Sequence, residues 1–418
     1  MKGKADRSGL WTRDFTIITV GSVVSMFGNS MSGFAMSLMV LDISESTLLY
    51  AVYIAMYTIP QLIAPVFSGA LLDRYSRKKT IYTLDFISSG LYVAMAAILS
   101  TGWFSFPVFA GYCFLLGAIE SAYMVAYESF YPLLITEGNY QKAYSIQSML
   151  ETLSAVMVPV SAALYKGIGI APLLAANGVC FFIAAVMETR IGADEDYIEL
   201  QKRTEIKGAG KITQMFADTR EGFEYLKSET GLLAVAVYFA ILAASGGVSN
   251  VITLPYFRNT FDNGEYIYML VWGCSLAGRT IGGGIHYMTV IPAARRYAIA
   301  LAIYIIIALS EGFYLFFPIP VMMIMCFIIG IGGVTTYTIR VSATQSYVPD
   351  EKKGRFNGAF NMLFMIGALT GEMIAGLASE RVPERTILMI AMLTEAALAL
   401  IIIGGAKKSV EKIYNCEK

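Results

Sequence analysis

Hydrophobic positions in this chain fill long continuous runs separated by short polar breaks, with none of the period-two alternation of a half-buried strand. A helix needs roughly 20 apolar residues to cross about 30 Å of hydrocarbon. In that medium every backbone polar group must be satisfied within the segment, which favours helices. The runs therefore predict transmembrane helices near 15–41, 47–72, 80–100, 106–133, 143–165 and 171–190, then 229–256, 265–288, 297–317, 320–345, 356–379 and 385–404. Connections are short except for 191–228. There Ile212, Met215, Phe216, Thr219, Phe223 and Leu226 recur at helical spacing, predicting a helix on the membrane surface. The expected organisation is a six-helix bundle over 1–190, a linker with an amphipathic helix over 191–228, a second bundle over 229–405 and a tail over 406–418.

Composition agrees with that pattern. Of 418 residues, 56% are hydrophobic and 15% charged, where a soluble domain carries about a quarter charged residues. Formal net charge is zero, so nothing points to a nucleic-acid partner. Cys113, Cys180, Cys274 and Cys326 lie inside apolar runs and Cys416 in the tail, with neither a zinc spacing nor a disulfide framework. No cofactor or metal is expected. The first apolar run is too long for a signal-peptide core and reads as the first span. The position of the basic residues sets the orientation. With a cytoplasmic N-terminus, cytoplasmic segments hold 25 Lys and Arg and the opposite side 4, while Arg279 and Arg340 lie within spans. Both termini are thus expected in the cytoplasm, with the chain in the inner or plasma membrane.

Six plus six spans invites a search for repeats. A shift of 213 residues brings Gly69 onto Gly282, Lys142 onto Arg355 and Ser148 onto Asn361, a register consistent with two parallel halves. The glycines at 282–284 and in Gly330-Ile-Gly332-Gly333 have no phosphate-loop context and are read as sites of close helix packing. The single histidine, His286, lies at the end of span eight.

Between spans two and three, Gly69-Ala-Leu71-Leu-Asp73-Arg74-Tyr-Ser76-Arg77-Lys78-Lys79 resembles the signature loop of the major facilitator superfamily, apart from serine at 76 where glycine is frequent. Pro349 to Phe356 and Tyr131 to Ile135 are similar to segments of that superfamily's macrolide-efflux branch. The resemblance implies an all-α membrane protein with twelve transmembrane helices in two pseudo-symmetric bundles, the major facilitator fold. It also implies a cytoplasmic latch in which Asp73 faces the start of span eleven, near Gly354-Arg355. Gly69 lets a neighbouring helix approach closely. Two departures weaken the antiporter pattern: Leu116 stands where many drug exporters carry arginine, and the span-five motif is reduced to Val158-Pro-Val-Ser-Ala-Ala163.

Charges inside spans are costly, at least about 2.5–3.5 kcal/mol on insertion scales, and mark function by default. Glu120 lies roughly 21 Å into span four at 1.5 Å per residue and has no basic neighbour in sequence. Desolvation favours the protonated form of a carboxyl so placed. Glu120 is therefore the first candidate for proton coupling, and Glu372 the second. Glu128 maps under the repeat beside Arg340; the two form either an inner-gate salt bridge or separate side chains snorkelling to water. Glu151 on span five and Arg279 on span eight form a candidate interfacial pair, given the packing the resemblance implies. Glu188, Glu311 and Glu395 fall on spans that are peripheral in the resembled fold and are read as structural. Tyr123, Tyr127 and Tyr131 recur at four-residue spacing, and Asn29 lies mid-span beside Met26. Met26, Asn29, Tyr123 and Tyr127 are candidate cavity residues, although ordinary packing accounts for such residues equally well.

The expected function is proton-coupled efflux of hydrophobic or amphipathic small molecules by alternating access. The alternative is a lipid or metabolite facilitator, or a proton-coupled uptake symporter. Expected partners are a small-molecule substrate, protons and the lipid bilayer, with no nucleic acid, the chain acting as a monomer. With no ATP-binding loop and no soluble catalytic domain, no enzymatic activity is expected.

Overall fold

The structure, a computed structural model, describes residues 9–72, 76–136, 157–193, 220–289 and 291–416, with positions 143, 146, 147, 150 and 154. Asp73, Arg74, Glu151 and most of the 191–228 linker lie outside the described residues. Among those described, the regular structure is entirely helical. The first group comprises α1 (Arg13–Ser44), α2 (Thr47–Leu72), α3 (Arg77–Ser100), α4 (Phe106–Phe130), α5 (Met157–Ile168) and α6 (Ile170–Glu188). A short helix, α7 (220–228), follows. Next come α8 (Thr230–Thr260), α9 (Gly264–Met288), α10 (Arg296–Phe313), α11 (Ile319–Tyr347), α12 (Asp350–Ala378), α13 (Glu384–Leu398) and α14 (Lys407–Tyr414). Helix α13 runs on through a π-helical turn, Ala399–Gly404.

Helix ends follow local chemistry. Thr12 caps α1 by accepting from the Phe15 amide at 3.2 Å, and Ser76 caps α3 by accepting from Lys79 at 3.1 Å. Prolines stand at or just before the first turns of α4, α11, α12 and α13, where a missing N–H costs nothing. Nine helices among the described residues are long and apolar enough to cross a membrane. Helices α2, α5 and α9 occupy the other three predicted span positions. Helix α9 has 25 residues, with Arg279, His286 and three consecutive glycines diluting its apolar content.

The chain divides into two compact units. The first holds Met1–Glu45 and Met56–Thr213, the second Ser46–Ala55 and Gln214–Lys418. In the first, α1 packs on α5 and α6, and α3 on α4 and α6. In the second, α8 packs on α12 and α13, and α10 on α11 and α13. Offset by six spans, these pairings are the same. The start of α2 joins the second unit because Gly376 presents bare backbone to Ala51 and Leu48.

Two short helices close one end of the second unit. Helix α7 buries Leu226 (1% exposed) and packs Phe223 on the core, while Glu221 pairs with Arg355. That half of the amphipathic pattern is therefore helical. Helix α14 falls within what the sequence presents as a tail, yet Val410, Ile413 and Tyr414 are fully buried in the same core. The Tyr414 hydroxyl lies 2.9 Å from that of Tyr304. Burial pushes the Tyr414 phenol up to about 12, so it keeps its proton at neutral pH. Each of the three side chains contributes about 1.5–3 kcal/mol by burial. A chain ended after Ala406 should accordingly melt several degrees lower in detergent, read by intrinsic fluorescence. An unchanged melting temperature would show that α14 adds nothing.

Candidate functional site

The first unit contains a cavity of about 230 Å³ between α1, α3, α4 and α6. Met26, Asn29, Glu120, Tyr123 and Tyr127, all singled out from the sequence, line it. Tyr123, Tyr127 and Tyr131 stack in succession along α4, with ring centroids 5.9 and 5.2 Å apart. Opposite them Tyr92 stacks on Phe181 at 5.5 Å. Glu120 is half-buried at the wall, and no Lys, Arg or His lines the cavity among the described residues.

Asn29 sits in a polar seam tying α1, α3 and α6 together. It accepts from the Tyr92 hydroxyl at 3.2 Å and from Asn177 Nδ2 at 3.3 Å, while Asn177 Nδ2 also donates to Ser32 at 2.7 Å. Gly28 makes the seam possible, since its bare Cα faces the Asn177 side chain. Such bonds fix helix registry in an apolar bundle, where an unmatched polar group costs more than a matched one gains.

Sequence reasoning passed over Asp85 and read Glu188 as structural. The structure buries both on the packed helices α3 and α6. Asp85 is 1% exposed and Glu188 fully buried. Asp85 was detectable as an acid five residues inside a predicted span, the same signal that singled out Glu120.

The second unit has its own cavity, about 430 Å³, lined by Glu372, Arg279 and Glu311 together with Trp272, Tyr268 and Tyr314. Ser249 and Asn250 line the same cavity. Arg279, whose expected partner Glu151 is outside the described residues, thus shares a cavity with two acids. Arg340 lies over three rings of its own unit, those of Phe360, Phe239 and Tyr337, at 4.7, 5.0 and 5.3 Å. Such stacking is worth on the order of 2 kcal/mol when desolvated. Glu128 is exposed on α4 of the first unit. In the signature loop Gly69 falls within α2. Arg77 donates to the Ser129 carbonyl at 2.9 Å and Lys78 to that of Ile191 at 3.0 Å. Both cations therefore complement the C-terminal ends of α4 and α6, where backbone carbonyls are unmatched.

The family profile for the Major Facilitator Superfamily matches residues 18–372. The chain belongs to the major facilitator superfamily. It is a multi-pass membrane protein of a transporter superfamily. An uncharacterized MFS-type transporter of Bacillus subtilis (strain 168), YkuC, is 26% identical over 177 residues, 42% of this chain and 41% of YkuC. The match thus spans less than half of that relative's length. Among solved structures, a mutant form of the nucleoside transporter NupG superposes with a TM-score of 0.71 at 11% identity, covering 94% of this chain and 99% of that one. The peptide transporter POT in complex with sulfate gives 0.66 at 13%, covering 95% and 96%. At such identities the likeness establishes the shared fold alone.

Proposed function

We propose that this superfamily member is a proton-coupled exporter of neutral or cationic amphipathic small molecules, drug- or macrolide-like in character. The observation that carries this reading is the first-unit cavity. It joins the carboxyl of Glu120 to a wall of Tyr92, Tyr123, Tyr127, Phe181 and Met26, with no basic side chain among the described lining residues. Aromatic and methionine walls accept bulky apolar bodies through packing rather than directed bonds. An unpaired acid there disfavours an anionic substrate and suits either a cation or a proton. Glu120 is assigned the coupling proton, and Glu372 the corresponding role in the second cavity. The loop of Gly69, Asp73, Arg74, Arg77 and Lys78, with Glu128, Arg340, Glu151 and Arg279, is assigned to gating. In this reading twelve spans cross a cell membrane with both termini in the cytoplasm, and the monomer is the working unit. Export rather than uptake rests on the resemblance of Pro349–Phe356 to the efflux branch.

Moving one charge through 100 mV supplies about 2.3 kcal/mol, equivalent to roughly a 40-fold concentration ratio. Everted vesicles energised with a proton gradient should accumulate members of a panel of lipophilic cations and neutral macrolides towards that ratio. Glu120→Gln should bring the ratio back towards unity at equal expression. Accumulation that is unchanged in Glu120→Gln without any gradient would sink the mechanism. Accumulation only in right-side-out vesicles would make the chain an uptake system.

A further inference from the structure

The two cavities differ in the charges on their walls. Among the described residues the first is lined by acids alone, whereas the second, of about 430 Å³, holds acids and a base. Glu372 comes from α12, Glu311 from α10 and Arg279 from α9. Glu372 is 4% exposed, and its Oε2 is buried with no hydrogen-bond partner. Arg279 is exposed and, among the described residues, pairs with neither acid. A charge within a span is costly and needs an answering group. Opposite charges placed for packing alone offset that cost by direct contact. Here they share one cavity and stay apart.

We propose that the second cavity is a binding site for a small zwitterion, its ammonium group held by Glu372 and its acid group by Arg279. A guanidinium presents a planar fork of donors that matches a carboxylate or phosphate. An ammonium carries three donors, which suits the unmatched oxygen of Glu372. Tyr268, Trp272 and Tyr314 line the same wall, where rings accept an apolar chain and attract a cation. The set of charges narrows the ligand. Glu311 adds a second carboxyl, so a simple anion would meet two acids, and a simple cation would meet Arg279. A net-neutral molecule bearing both charges answers both. Among the described residues no group of three metal-ligating side chains offers a metal site instead. The proposal goes beyond the export reading and does not rest on it, because the first cavity, in the other unit, carries that reading. A bound ammonium and a proton exclude each other on Glu372, which is compatible with the coupling role given to it above.

Trp272 is one of three tryptophans in the chain and lines the cavity. The full chain carrying Trp11→Phe and Trp103→Phe, purified in detergent, therefore reports the site through its fluorescence. The probes are glycine, γ-aminobutyrate, ε-aminocaproate and longer homologues, each beside the alkylamine and the alkanoate of the same length. This series spans the possible spacings of the two charges. One length should bind at least about tenfold tighter than both of its single-charge analogues, the ratio a charge-assisted hydrogen bond supplies. Glu372→Gln should bring that zwitterion to the affinity of the alkanoate, and Arg279→Gln to that of the alkylamine. If either variant fails to fold, the series on the unsubstituted cavity still decides. No advantage for a zwitterion at any length would overturn the proposal. So would an advantage that survives in both variants, which would put the binding elsewhere. Export that depends on Glu120, with no zwitterion bound, would remove this site and leave the export reading. Zwitterion binding in a chain whose transport needs no proton gradient would do the reverse.

Discussion

Gly371→Leu is expected to abolish recovery of folded protein. Helix α12 presents Gly367 and Gly371, four residues apart, to the backbone of α8 at Ala240 and Ala244, and Gly247 of α8 faces Ala368 in return. A Cβ at 367 or 371 would overlap a main-chain carbonyl, which no rotamer change relieves. Small residues at this spacing let two helices touch backbone to backbone, the main source of association where lipid removes the hydrophobic drive. A leucine there forces α8 and α12 apart, at a cost of at least about 3 kcal/mol. Gly358→Leu on the same helix is the control, because nothing lies within 4 Å of its Cβ position. Size-exclusion profiles in detergent should show a monodisperse peak for Gly358→Leu and aggregate for Gly371→Leu. Equal peaks would refute the close-packed seam.

The second large effect concerns the seam beside the first cavity. Gly28→Val places a branched side chain onto the amide of Asn177, itself held by Asn29 and Ser32, and against Cys180. Expelling the amide breaks both bonds and leaves buried polar groups unmatched, each at about 1–3 kcal/mol. The expected result is a loss of several kcal/mol of stability together with loss of transport. Gly33→Ala, five residues along the same helix with open space around it, should change neither. Thermal melting and vesicle uptake of the same preparations separate the two outcomes.

Much of this architecture was legible in the chain because hydrocarbon imposes a simple length rule. Among the described residues a helix falls within each predicted span position, and four-residue spacing was enough to put Tyr123 and Tyr127 on one cavity with Glu120. What stayed hidden depends on which helices meet. Asp85 and Glu188 are buried because α3 packs on α6, a pairing that periodicity within either helix does not encode. Arg340 suggested a carboxylate partner through the repeat register, whereas its own unit surrounds it with rings from α8, α11 and α12. Helix α14 has only eight residues and is flanked by lysines, so its apolar face at Val410, Ile413 and Tyr414 reads as part of a charged tail until the core it fills is seen.

That cavity, with carboxyls on its wall and no basic lining residue among those described, underlies the account of coupled export. It is tested most directly by following internal pH in proteoliposomes that contain the purified chain and a pH-sensitive dye, while a transported compound is added on one side. The account predicts proton movement opposite to the substrate, abolished by Glu120→Gln. Substrate movement with no accompanying proton flux in the wild-type chain would contradict it.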